Sequence, residues 1–164
     1  MTTSDARAVL EARARHLARP ADTTDDAGAD AIDLLVVQVE DEQLAIPLAS
    51  IVAIARPGSV ARLPRVAPPV YGVTAWRGRP LTVLSLSSSP PVATIDSRLI
   101  VLGSGSRAAL AVLVDAVHDV RRTARGDLAE AGAGPRRSYA LGVTPDGLLV
   151  VSGDALLDPG TLSP

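Results

Sequence analysis

Between Ile32 and Leu157 the chain is a succession of short aliphatic runs, LLVVQV, LAIPL, LTVLSL, RLIVL, LAVLV and LLVV, each broken by polar or glycine-bearing turn signals. Runs this short fall below ordinary helix length, and their Val, Ile and Leu content suits a pleated, packed surface. About seven or more short strands are therefore expected, arranged as a barrel or a sandwich. The apolar content points the same way: 47% of 164 residues are hydrophobic, yet there is no Phe, one Trp and two Tyr. Branched aliphatics must fill the core.

Two stretches echo two others. LAIPLASIVAIAR, Leu44 to Arg56, aligns without gaps on LAVLVDAVHDVRR, Leu110 to Arg122. Each follows an apolar strand and a polar turn, Glu40 to Gln43 in one case and Gly103 to Arg107 in the other. The tripeptide GVT then occurs at Gly72 to Thr74 and again at Gly142 to Thr144, each time before a turn and an aliphatic strand. Two echoes in the same order predict two similar small β-barrels, which would hide their sheet edges by closure. Lobe one is expected over 32–89 and lobe two over 90–157.

The ends differ from this body. Ser4 or Asp5 is placed to cap an amphipathic helix over Ala6 to Ala18 (domain segment 1–19), with Val9, Leu10 and Leu17 on its apolar stripe. Residues 20–31 carry small and acidic residues with little to bury, the composition of a flexible linker, and 158–164 form a tail. The start MTTSDARAVL lacks the apolar core of a signal peptide, and no apolar run approaches the roughly 18 residues of a membrane span. A soluble, cytoplasmic protein is expected.

Composition and motifs argue against several chemistries. A net charge of -2 and three aromatic rings, one Trp and two Tyr, do not suit a nucleic-acid binder. Without cysteine there is no thiolate nucleophile or thiolate metal site. His16 and His118 have no ligand spacing around them, and no serine sits in a G-x-S-x-G elbow to join His118, Asp115 and Asp119 in a triad. GSGSR, Gly103 to Arg107, reads as a hairpin turn rather than a phosphate loop; AGAGPRRS, Ala131 to Ser138, reads as a mobile loop in which Arg136 and Arg137 are able to meet an acidic partner. No catalytic residue, cofactor or metal is expected.

The best-marked surface is GVTAWRG, Gly72 to Gly78, a hairpin whose turn at Gly78 holds up the chain's one Trp beside Arg77. Trp and Arg are the residue types most enriched at binding hot spots, and Arg stacks or pairs with a carboxylate. The alternative reading leaves Trp76 plugging a barrel end.

The order LAIPL, SIVAI, YGVTAWRG (Tyr71 to Gly78), LTVLSL, RLIVL, LAVLVDAVHDV and YALGVTPDGLLVVSGDALL (Tyr139 to Leu157) resembles the CheW-like domains of bacterial chemosensory arrays. That resemblance implies an all-β fold of two five-stranded SH3-like β-barrels with short helical segments. It implies a non-catalytic adaptor that couples chemoreceptor cytoplasmic tips to the regulatory domain of a CheA-type histidine kinase; a structural array element that binds other CheW-like domains is an alternative. A barrel binding a metabolite or peptide between its lobes is the competing reading. By the resemblance, Ile51, Ile54, Val73, Trp76 and Arg77 face partners on lobe one, and Val114 and Val117 on lobe two. The family's N-L-R-G turn becomes Ala75, Trp76, Arg77 and Gly78 here, and an aspartate of its P-V-x-D-L strand becomes Ser85; Ser152 stands at the matching place in lobe two. Loss of that Asn and Asp is expected to remove side-chain hydrogen bonds from the hairpin.

Overall fold

A computed structural model of the chain describes residues 30–104, 107–134 and 136–158. The expected N-terminal helix and nearly all of the linker lie outside these residues. Among the described residues, eleven strands sort into two sheets. One contains β1 (Ala31–Val39), β2 (Glu42–Pro47), β9 (Ala116–Ala124), β10 (Ala140–Val143) and β11 (Leu149–Val151), in the order β10-β11-β2-β1-β9. The other contains β3 (Ile51–Ala55), β4 (Val60–Arg62), β5 (Val70–Trp76), β6 (Arg79–Ser85), β7 (Arg98–Ser104) and β8 (Arg107–Val114), in the order β3-β7-β8-β6-β5-β4. A short helix, Gly153–Leu157, follows β11.

The two echoes correspond to this arrangement strand for strand. Reading the second sheet backwards, β5, β6, β8, β7 and β3 stand where β10, β11, β2, β1 and β9 stand in the first. Even the one parallel pairing recurs, β11 on β2 and β6 on β8. The halves are interlaced, however, and the strands do not divide at Ser89. The chain leaves the first sheet at Leu48–Ser50, a 3-10 turn, and returns to it at Asp115, so residues 51–114 build one sheet and both flanking stretches build the other. The echoed segments are the crossing points. Hydrogen-bond ladders between distant strands decide membership: β3 finds β7 and β1 finds β9.

Why the aliphatic runs are continuous also becomes clear. In β1, Ile32, Leu34 and Val36 enter one cluster while Leu35, Val37 and Val39 enter another. In β7, Leu99 and Val101 point into a third cluster, and Ile100 and Leu102 join Leu35 and Val37. Successive side chains on a strand face opposite ways, so a strand buried on both faces must be apolar at every position. The central cluster lies where the two sheets meet, and each sheet curls over a cluster of its own. The first sheet's edges β9 and β10 do not pair with each other, nor do the second sheet's edges β3 and β4, so the two sheets are open where closed barrels were expected. Pro57 in the β3-β4 connection removes a donor that a ladder would need.

The GVT echo has a steric cause. Ala61 of β4 pairs with Val73, and Ala129 makes an isolated bridge to Val143, its counterpart in the other half. Beside each valine stands a glycine. A Cβ on Gly72 would meet the Ala61 carbonyl oxygen at 2.4 Å, and one on Gly142 would meet that of Ala129 at 2.8 Å. Thr74 and Thr144 are both buried, and their hydroxyls bond to the Ser59 carbonyl at 3.0 Å and the Asp146 carboxylate at 2.5 Å respectively.

Candidate partner-binding surfaces

Trp76 and Arg79 close the β5-β6 hairpin across a two-residue turn. Both turn residues are left-handed, Arg77 at φ 49° and Gly78 at φ 75°. A turn with positive φ at both central positions matches the twist of the flanking strands. Glycine accepts that conformation freely, whereas arginine does not. Arg77 is exposed, and its guanidinium carbon stands 4.4 Å from the Trp76 ring centroid. The ring is half-buried against the cluster inside the second sheet. One part of Trp76 thus packs against the inner cluster of the second sheet, and another supports the Arg77 cation at the tip.

The remaining predicted residues scatter. Ile54 is 47% exposed on edge strand β3. Val73 is half-buried on β5, and Ile51 and Val117 are half-buried against the central cluster. Val114 is 1% exposed and belongs to that cluster; because β8 is buried on both faces, alternate valines have no surface to reach. Ile54, Val73, Trp76 and Arg77 share the second sheet, and Val117 lies on the first.

Ser85, which stands where the family pattern carries aspartate, and Ser152 at the matching place both make local hydrogen bonds. Ser85 Oγ accepts from the Ser87 N–H at 3.2 Å. Ser152 Oγ accepts from the Ala155 N–H at 3.1 Å and caps the final helix, whose Leu156 is fully buried in the central cluster.

A second surface lies between the sheets. A groove of about 860 Å³ is floored by Leu44, Leu86, Leu148 and Leu149 and edged by Glu42 and Arg136. Its walls come from strands far apart in sequence. Arg136 donates to the Leu86 carbonyl at 2.8 Å and to the Glu42 carboxylate, and Arg137 pairs with Glu130 at 3.1 Å. The segment read as a mobile loop is thus tied on its Arg136 side to both sheets. Burial pushes the Tyr139 hydroxyl above its ordinary value, and the Arg136 guanidinium pulls against that shift. A further tie crosses nearby: Glu40 takes the Ser89 N–H at 3.0 Å, and main-chain donors at Ser88 and Ser89 hold its carboxyl below the usual carboxylate range. Sequence reading found Arg136 but missed Glu42 and the leucine floor, since no local pattern marks a site assembled by long-range pairing.

Among the described residues no cluster of three or more His, Asp or Glu is arranged to hold a metal. His118 Nε2 lies 3.1 Å from the Gln38 amide oxygen, and the Asp115 carboxylate takes the Glu40 N–H at 2.6 Å. These contacts tie the start of β9 to β1 and to the β1-β2 turn. No described helix is long and apolar enough to cross a membrane.

Comparison with known proteins agrees with this architecture. The scaffolding protein TtCheW from Thermoanaerobacter tengcongensis has a crystal structure that matches with a TM-score of 0.61 at 17% identity, over 74% of this chain and 82% of that one. Likeness at this identity speaks to the fold. No curated protein matches the chain. The family model for the CheW-like domain matches residues 33–159, a span that takes in both sheets, the hairpin tip and the groove, and the chain therefore belongs to the CheW-like domain family.

Proposed function

We propose that the protein is a non-catalytic cytoplasmic adaptor that couples chemoreceptor tips to a CheA-type histidine kinase. The observation that carries this reading is the CheW-like domain match across both sheets, 33–159. Two surfaces give it physical content. The hairpin tip offers Trp76 and Arg77, with Val73 and Ile54 on the same sheet, as a surface for the kinase regulatory domain or another CheW-like domain. The groove between the sheets has half-buried Leu149 at its base beside the buried Leu44, Leu86 and Leu148, a concave surface on which a partner helix can lie, and we assign it to the receptor.

The test is binding of the full chain to the kinase regulatory domain and the receptor tip encoded in the same genome, by pulldown and calorimetry. Binding to both, with Arg77→Ala weakening the kinase contact alone, is the expected result. Capture of neither would sink the reading.

A further inference from the structure

Arg136 and Glu42 form an ion pair on the groove edge, and its two members are held very differently. The Arg136 side chain is 18% exposed, while that of Glu42 is 64% exposed. Arg136 is also anchored to main chain, through Nη2 to the Leu86 carbonyl at 2.8 Å. Glu42 has its other side in water, and an exposed carboxylate gains little from such a pair. It leaves at small cost. The bond to the Leu86 carbonyl is an anchor for the guanidinium that does not depend on Glu42.

Neighbouring carboxylates are engaged elsewhere. Asp146 accepts from the Thr144 hydroxyl at 2.5 Å and pairs with Arg121 at 2.6 Å, Glu130 pairs with Arg137, and Glu40, which acts on Arg136 only through space, takes the Ser89 N–H at 3.0 Å. An occupant that covers the floor removes water from Arg136 as well. A desolvated cation that loses its anion is strongly penalised, whereas one that receives a new carboxylate in a bidentate fork is stabilised in the lower dielectric.

We propose that the groove takes a helical protein segment presenting a carboxylate, from Asp or Glu, which replaces Glu42 on Arg136 while the bond to the Leu86 carbonyl persists. This rests on the adaptor reading above and names the chemistry of its groove partner.

Calorimetric titration of the full chain with the receptor tip hairpin from the same genome tests it. Arg136→Gln is expected to weaken binding by about tenfold or more, the scale of a charge-assisted hydrogen bond. Glu42→Gln, which removes the internal competitor, is expected to tighten it several-fold. Adding salt should weaken wild-type binding and barely change that of Arg136→Gln. If Glu42→Gln weakens binding as Arg136→Gln does, or leaves it unchanged, the ion pair only shapes the groove and the inference fails while the adaptor reading stands. If wild type does not bind the tip hairpin at all, both fail. Should Arg136→Gln not fold, the Glu42→Gln arm and the salt dependence of wild type still decide the matter.

Discussion

Gly72 lies so close to Ala61 that a Cβ on the glycine would stand 2.4 Å from the alanine's carbonyl oxygen. The obstacle is backbone, so it has no rotamer by which to move aside. Gly72→Ala is therefore expected to destabilise the fold by about 1–3 kcal/mol as β4 is pushed from β5. Gly142→Ala, with 2.8 Å to the Ala129 oxygen, should cost less. Gly58 has nothing within 4 Å of the added carbon, and Gly58→Ala should be neutral or stabilising by about 0.4–1 kcal/mol. Urea denaturation compares the three, and equal responses at Gly72 and Gly58 would remove the steric account.

At the hairpin tip, stability and recognition should separate. Trp76→Ala exposes part of the cluster inside the second sheet and is expected to cost about 1–3 kcal/mol, less than for a fully buried ring. Arg77→Ala loses a stacking contact of about 0.5–1 kcal/mol. Arg77→Gly loses the same contact but relieves the left-handed backbone, so it should melt close to wild type. Thermal melting orders these variants, and a large loss in Arg77→Gly would show that the arginine has a structural role beyond the turn.

Val114 and Val117 were candidates of equal standing in the sequence, and substitution should tell them apart. Val114→Ala opens a hole in the central cluster and is expected to cost about 2 kcal/mol. Val117→Ala, from a half-buried position, should cost under about 1 kcal/mol. Partner affinity of the folded Val114→Ala protein should equal that of wild type, and calorimetry would expose any direct contact.

Glu40 ties the β1-β2 turn to the main chain at Ser88 and Ser89, which lowers its folded-state pKa from the ordinary 4.5. The unfolded chain then binds more protons at this site as pH falls. Its contribution is present above about pH 4.5 and is lost as pH drops through the lower folded value. Glu40→Gln should reduce the acid-side slope of melting temperature against pH, and an unchanged slope would show the tie to be energetically silent.

Ser152 caps the final helix by accepting the Ala155 N–H at 3.1 Å. Ser152→Ala should cost about 1 kcal/mol, and Ser152→Asp, which keeps an acceptor, should recover most of it. Failure of the aspartate to rescue melting temperature would place the serine's effect in packing beside Gly153.

Much of this architecture is legible in local pattern because strands advertise themselves locally. Runs such as LIVL and LAVLV are short, branched and apolar at every position, and β7 and β8 occupy them; that the chain turns back between them was readable for the same reason, with Ser104 opposite Arg107. The echoes foretold equivalent strands in equivalent order. The GVT tripeptide marked a real constraint, but the neighbour that imposes it, Ala61 or Ala129, was invisible because it arrives from an earlier segment of chain.

The sequence by itself determined the strand content, the repeated order of elements and the Trp-Arg hairpin tip, since each depends on residues within a few positions of one another. Only the tertiary structure decided that the repeats interlace at Ser50 and Asp115, that the sheets curl without closing, that Val114 is core, and that Glu42, Arg136 and four leucines meet in one groove. Those outcomes follow from which distant strands share hydrogen bonds and buried area. Ile54 and Val114 look alike as letters in an aliphatic run, and burial separates them only after β3 has become an edge and β8 lies between β7 and β6.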